Sequence, residues 1–235
     1  MKTFIESYRN SEYYNKLFDV DSEIIIIYVG GSYSFKTNHE ASDYDINVVT
    51  NGGEFFSVYL DWHLKYKHRT VHWYYRPIVD FFKLTCYDLH DYIGVMTLMN
   101  IPEENIIYLN PKYEQQWKHL YENRDRLLKH MCIELGLSCK SYINLILKAD
   151  EIKATRDRTQ RIYFICIAAY YLLDISPDYQ LLKAISKSKR LELPFKAEEL
   201  IQVKELLQKY LTALEGFDLV ENRNELRSLE SEFKF

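Results

Sequence analysis

Five of the seven residues Glu23-Ile-Ile-Ile-Ile-Tyr-Val29 carry β-branched side chains, without polar alternation, and the run stops at Gly30-Gly31. This pattern predicts a strand buried on both faces. A second strand is predicted over residues 45–50, Asp-Ile-Asn-Val-Val-Thr, ended by Asn51-Gly52-Gly53. Residues 54–67 place Phe55, Val58, Tyr59 and Trp62 at helical spacing, so a helix is expected there. Residues 70–75 alternate and are rich in aromatics, which predicts a third strand closed by Pro77. Beyond residue 85 strand signals fade. Apolar residues recur at helical spacing over 88–99, 112–130, 138–152, 159–173 and 197–214, and Ser176-Pro177-Asp178 opens a further short helix. The reading is α+β, a small three- to four-stranded module followed by a helical part. The expected division is 1–110 and 111–235.

Composition sharpens this picture. The 235 residues include only 7 glycines and 5 prolines, about half the usual share, against 21 tyrosines and a hydrophobic fraction of 47%. Collagen-like, low-complexity and disordered classes are excluded, because apolar content is ample and chain breakers are scarce. Each glycine therefore carries information. The net charge of −4 excludes a polyanion binder at the level of the whole molecule, though not a local patch. Residues 140–190 hold ten Lys/Arg against five Asp/Glu, while 191–235 hold six against ten. Lys153, Arg156, Arg158 and Arg161, interleaved with Tyr142 and Tyr163, suit phosphate and base contacts. The bland reading of the same residues is a solvated helix face. Cys86, Cys132, Cys139 and Cys166 have no paired metal-ligand spacing, and the opening MKTFIESYRN has no apolar signal core. Reduced, buried thiols in a cytoplasmic protein are expected, with no segment apolar and long enough to span a bilayer.

One stretch carries chemistry. A strand runs into Gly30-Gly31-Ser32, and eleven residues after that serine Asp43-Tyr44-Asp45 opens the next strand. Side chains two apart on a strand point the same way, so Asp43 and Asp45 project together. Two convergent carboxylates repel one another, and a divalent cation relieves the repulsion. Gly30 and Gly31 let backbone amides approach a phosphate, and Ser32 adds a hydroxyl at an expected helix N-terminus. A phosphate cradle opposite a carboxylate clamp is what phosphoryl transfer requires, since that chemistry is mostly positioning and charge neutralisation. Lys36 is within sequence reach of a triphosphate, and His39-Glu40 of a substrate. The tryptophans Trp62, Trp73 and Trp117 are expected in the core first.

The pattern Gly30-Gly31-Ser32, then Ser34 and Thr37, then Ser42-Asp43-Tyr44-Asp45-Ile46 resembles the signature of the DNA-polymerase-β-like nucleotidyltransferases. The continuation through residues 77–84, 94–110, Tyr142, 161–170 and 181–186 is similar, more loosely, to the RNA-repair-associated polymerase-β-like family. The resemblance implies a small mixed-sheet nucleotidyltransferase core followed by a helical acceptor-binding domain. It implies transfer of a nucleoside monophosphate from an NTP to a hydroxyl, with Mg2+ or Mn2+ as two ions and release of pyrophosphate. Gly31 and Ser32, with Gly30, Ser34, Lys36, Thr37 and Ser42 around them, would then hold the nucleotide, and Asp43 and Asp45 the metals.

One departure stands out. The superfamily places a third acid on the following strand, which here reads Thr70-Val-His-Trp-Tyr-Tyr75 and has none. His72 lies within it as a metal ligand or general base, or as a packed or surface histidine; Asp61 and Asp80 flank it. The expected acceptor is RNA or tRNA, bound through Lys153, Arg156, Arg158 and Arg161. A small-molecule or protein acceptor stays open, as does an inactive nucleotide- or RNA-binding module.

Overall fold

The isoleucine run forms β1 (Glu23–Val29), and residues 24–29 are buried along its whole length, as a strand covered on both faces must be. The computed structural model describes residues 23–38, 42–51, 56–58, 65–66, 69–77, 103–153 and 155–232. These fall into two units, 23–122 and 123–232.

The first unit is built on a mixed sheet of order β3-β5-β2-β1-β6. Here β2 is Tyr44–Asn51, β3 Phe56–Val58, β4 Lys65–Tyr66, β5 Arg69–Pro77 and β6 Ile106–Leu109. β1 pairs antiparallel with β2 and with β6, whereas β2 and β5 run parallel. β3 and β4 both pair antiparallel with β5. Two expectations are corrected. The predicted helix at 54–67 is strand wherever it is described, because Phe-Ser-Val finds an open β5 edge and pairing with it overrides a helical spacing. β6 went unpredicted, since four residues are too few to show a period.

The far end of the sheet is closed by a polar corner. Asn110 sends its amide to the Ile24 carbonyl and to Glu23, while Lys112 Nζ and Tyr113 Oη donate to Glu23 Oε2 at 2.7 and 2.8 Å. Asn51 Nδ2 donates to Tyr113 Oη at 2.8 Å. Tyr113 is thereby tied to the edge of the sheet, and the first unit takes in α1 (Glu114–Glu122). The hydrogen bond from Lys112, then that from Tyr113, hold the Glu23 carboxyl below its ordinary value of 4.5, and the Glu23 bond holds Lys112 above 10.5. A depressed carboxylate stabilises the fold above its unfolded value and loses that contribution as pH falls through the folded one. A raised lysine contributes below its unfolded value and loses it as pH rises through the folded one. The thermal midpoint should therefore fall below pH 4.5 less steeply in Glu23→Gln than in the wild type. Parallel curves for the two proteins would show that this corner carries no proton linkage.

The second unit is helical: α2 Arg124–Ser138, α3 Lys140–Lys148, α4 Arg156–Leu172, α5 Tyr179–Leu191, α6 Ala197–Leu214 and α7 Leu219–Glu232. The predicted helix at 112–130 is divided at Asn123 between the two units. α4 is the core, buried continuously from Ile162 to Tyr170, and packs against α2, α5 and α6. Its N-terminus is capped by Thr155, that of α5 by Asp178 and that of α7 by Asp218. α2 and α6 approach closely at Gly136, where an added Cβ would lie 2.4 Å from Leu214 Cδ1. Cys132 and Cys166 are buried and unpaired, and burial pushes the Cys166 thiol up to about 12. Among the described residues no helix is long and apolar enough to cross a membrane.

Candidate functional site

β1 ends at Val29, and the chain turns at once through a single 3-10 turn, Gly31–Tyr33. In such a turn each bond reaches back three residues, so the first amides, those of Gly31 and Ser32, lie outside its bonding pattern. Gly30 donates its amide to the Asp45 carbonyl at 2.7 Å, which fastens the turn to the start of β2. Gly31 has φ +59, the left-handed region that favours glycine. A Cβ built on Gly31 would lie 1.8 Å from Asp45 Oδ2, so the carboxylate rests directly against this glycine. Both the backbone and the space demand glycine here.

The surrounding residues brace the loop. Ser34 is buried and its hydroxyl donates to the Val29 carbonyl at 3.2 Å. Thr37 is buried, with its amide at 2.9 Å and its hydroxyl at 3.4 Å from the Ser32 carbonyl. Ser42 is also buried. Ser34 and Thr37, expected around a nucleotide, thus turn their hydroxyls to the loop's own carbonyls. Lys36 is exposed at its outer corner in the left-handed conformation, φ 54. Asp43 and Asp45 are half-buried at the entry to β2. In the parallel pairing of β2 with β5, Asp45 stands in register with His72. Asp61, Asp80, His39 and Glu40 lie outside the described residues, as do the helix expected at 88–99 and Cys86.

A carboxylate resting on Gly31, at the start of a 3-10 turn whose first amides lie outside the turn's own bonding, presents opposite electrostatics within one small space. Phosphate would be drawn to the amides and repelled by Asp45. A divalent cation between them satisfies both, and carboxylate oxygens are the hard donors that magnesium takes, together with water and substrate phosphates. Among the described residues no cluster of three or more His, Cys, Asp or Glu forms.

One feature of this site was not legible in advance. Tyr33 and Tyr44 stack, with ring centroids 4.7 Å apart and planes 18° from parallel. The only sequence signal was a tyrosine beside each functional element, among 21 tyrosines in the chain.

The basic residues belong to the second unit. Arg156 and Arg158 occupy the first turn of α4, Lys153 precedes it and Arg161 follows, and all four are exposed. None forms an ion pair with another described residue. Helix N-termini favour anions, and here the four cations outnumber the one acid of the first turn, Asp157. Tyr142 donates its hydroxyl to the Arg158 carbonyl at 3.4 Å. Burial pushes the Tyr142 phenol above its ordinary value, and Arg158 and Arg161 pull it back. Tyr163, expected to interleave with these cations, is instead buried and packs edge-on against Phe164 at 5.2 Å. The period of α4 turns it inward. Trp117 is buried, as a core tryptophan should be.

Neither known protein families nor curated proteins yield a match to this chain.

Proposed function

We propose that the chain is a magnesium-dependent nucleotidyltransferase that moves a nucleoside monophosphate from an NTP to a hydroxyl, the acceptor being RNA or tRNA. The observation that carries this reading is the Asp45 carboxylate seated on Gly31, at a turn whose first amides are unused within it. Bound metal would neutralise the triphosphate and the charge that develops on it. Gly31 and Ser32 would hold phosphate through their amides, and Asp43 and Asp45 would hold the metal. The acceptor oxygen bonds to the α-phosphorus, the bond to pyrophosphate breaks, and the hydroxyl proton passes to a base. His72, in register with Asp45, is the residue we assign to that base. Lys153, Arg156, Arg158 and Arg161 would bind the acceptor strand through its phosphates.

The test is incubation with each labelled NTP, Mg2+ or Mn2+ and total RNA, beside Asp43→Ala/Asp45→Ala. Transfer by the wild type and none by the double variant is the expected result. Label transfer that survives the double substitution would sink the site. The second reading, an inactive nucleotide-binding module, is favoured by a histidine rather than an acid beside Asp45. Its signature would be metal-dependent NTP binding without transfer to any acceptor.

A further inference from the structure

The two groups that the proposed chemistry must hold together belong to different segments, the turn amides to residues 31–32 and the carboxylates to residues 43 and 45. Chemistry of this kind depends on a fixed interval between them. Two backbone facts set part of it: Gly30 N–H donates to the Asp45 carbonyl, and Asp45 Oδ2 lies over Gly31. Beyond Gly31 the bonds of Ser34 and Thr37 brace the turn within itself, and the stacked rings add a tie to β2. Their placement is specific. Tyr33 directly follows Ser32, and Tyr44 lies between Asp43 and Asp45. Each ring is thus one residue away from a group with a proposed role. Successive side chains on a strand alternate, so the ring of Tyr44 leaves β2 on the side away from the Asp45 carboxylate. The stack joins the turn to the start of β2.

We infer that Tyr33 and Tyr44 are positioning residues, whose stack sets the distance between the phosphate-binding turn and the metal-binding carboxylates. The inference rests on the nucleotidyltransferase reading, in that it takes Asp43 and Asp45 as metal ligands. A ring pair that serves this purpose needs planar faces and not hydroxyls, so phenylalanine should substitute for either tyrosine and leucine should not. Supporting partners of metal ligands typically change affinity by about 10–100-fold when removed, and that is the effect expected here.

The experiment is titration of the full chain with Mn2+, following free Mn2+ by electron paramagnetic resonance, with circular dichroism as the check on folding. The proteins compared are wild type, Tyr33→Leu, Tyr44→Leu, the double leucine variant, Tyr33→Phe, Tyr44→Phe and Asp43→Asn/Asp45→Asn. Each leucine variant should bind Mn2+ about 10–100-fold more weakly, and the double variant no more weakly than either single one, because the rings act as one unit. The phenylalanine variants should bind as the wild type does. Loss of binding in the aspartate variant with full affinity in the folded leucine variants overturns the positioning role and leaves the metal site standing. Wild-type protein that binds no Mn2+, or an aspartate variant that still binds it, overturns the metal reading and the positioning role with it. Should Tyr44→Leu fail to fold, Tyr33→Leu, on the turn side of the pair, decides the question.

Discussion

On the proposed reading, Gly31→Ala should weaken metal binding and slow nucleotidyl transfer about 100-fold while leaving the chain folded. Two independent effects meet at this position. A residue with a Cβ held at φ +59 suffers strain of roughly 1–2 kcal/mol. The Cβ itself would stand 1.8 Å from Asp45 Oδ2 and 2.7 Å from its Cγ, so the carboxylate must swing away. Displacement by about an ångström at a reacting centre costs on the order of 100-fold in rate, and that is the loss expected for transfer. The fold should survive, because the Gly30–Asp45 backbone bond and the buried face of β1 are untouched. A double-mutant cycle separates the two effects. Asp45→Ala removes the two nearest atoms that the new methyl would strike, leaving only Cβ at 3.1 Å, so in that background Gly31→Ala should cost little beyond its strain. Urea denaturation measures both. Equal costs in the two backgrounds would show that the carboxylate does not rest on this glycine.

What could be read in advance follows from where the governing physics is local. The first two strands were legible because Ile24–Val29 and Ile46–Thr50 are rich in β-branched residues and closed by glycines or Asn-Gly, signals that need no partner to interpret. The placement of Asp45 against Gly31 was half legible. The motif brought both residues to one end of the sheet, but the left-handed φ and the close approach emerge only in three dimensions. The hairpin partners of β5 were misread because Phe55, Val58, Tyr59 and Trp62 satisfy a helical spacing, and only the open edge of β5 decides otherwise. Ser34 and Thr37 were expected to face a nucleotide; which way a short hydroxyl turns depends on the carbonyls nearby, here those of Val29 and Ser32. The last helix, α7, escaped notice because its apolar positions are few and its hold on α2 is partly polar.

That polar hold yields the other large effect. Glu134 lies on α2 with no solvent exposure, and its Oε1 accepts from Arg223 Nε of α7 at 2.8 Å and from Ser138 Oγ at 3.3 Å. Oε2 has no hydrogen-bond partner among the described residues. Beside it the Asn222 amide donates to the His130 carbonyl at 3.0 Å, and its oxygen meets His130 Nδ1 at 2.9 Å. Leu226 and Leu229, fully buried on the same helix, supply the apolar part of the contact. Removing Arg223 strands a carboxylate that is already half unsatisfied. Breaking a buried pair in this way typically costs about 3–5 kcal/mol, whereas replacing both partners with apolar groups of similar volume is often neutral. Arg223→Met should therefore destabilise the chain by about 3 kcal/mol, the lower end, because the arginine side chain keeps 27% of its exposure. Glu134→Leu/Arg223→Met should recover most of that loss. Guanidinium denaturation followed by circular dichroism gives both values. The contrast between them is the point of the measurement: a pair that merely added stability would lose more when both halves are removed. If Arg223→Met alone proves as stable as the wild type, then the seam between α2 and α7 owes its strength to Leu226, Leu229 and Asn222 rather than to the ion pair.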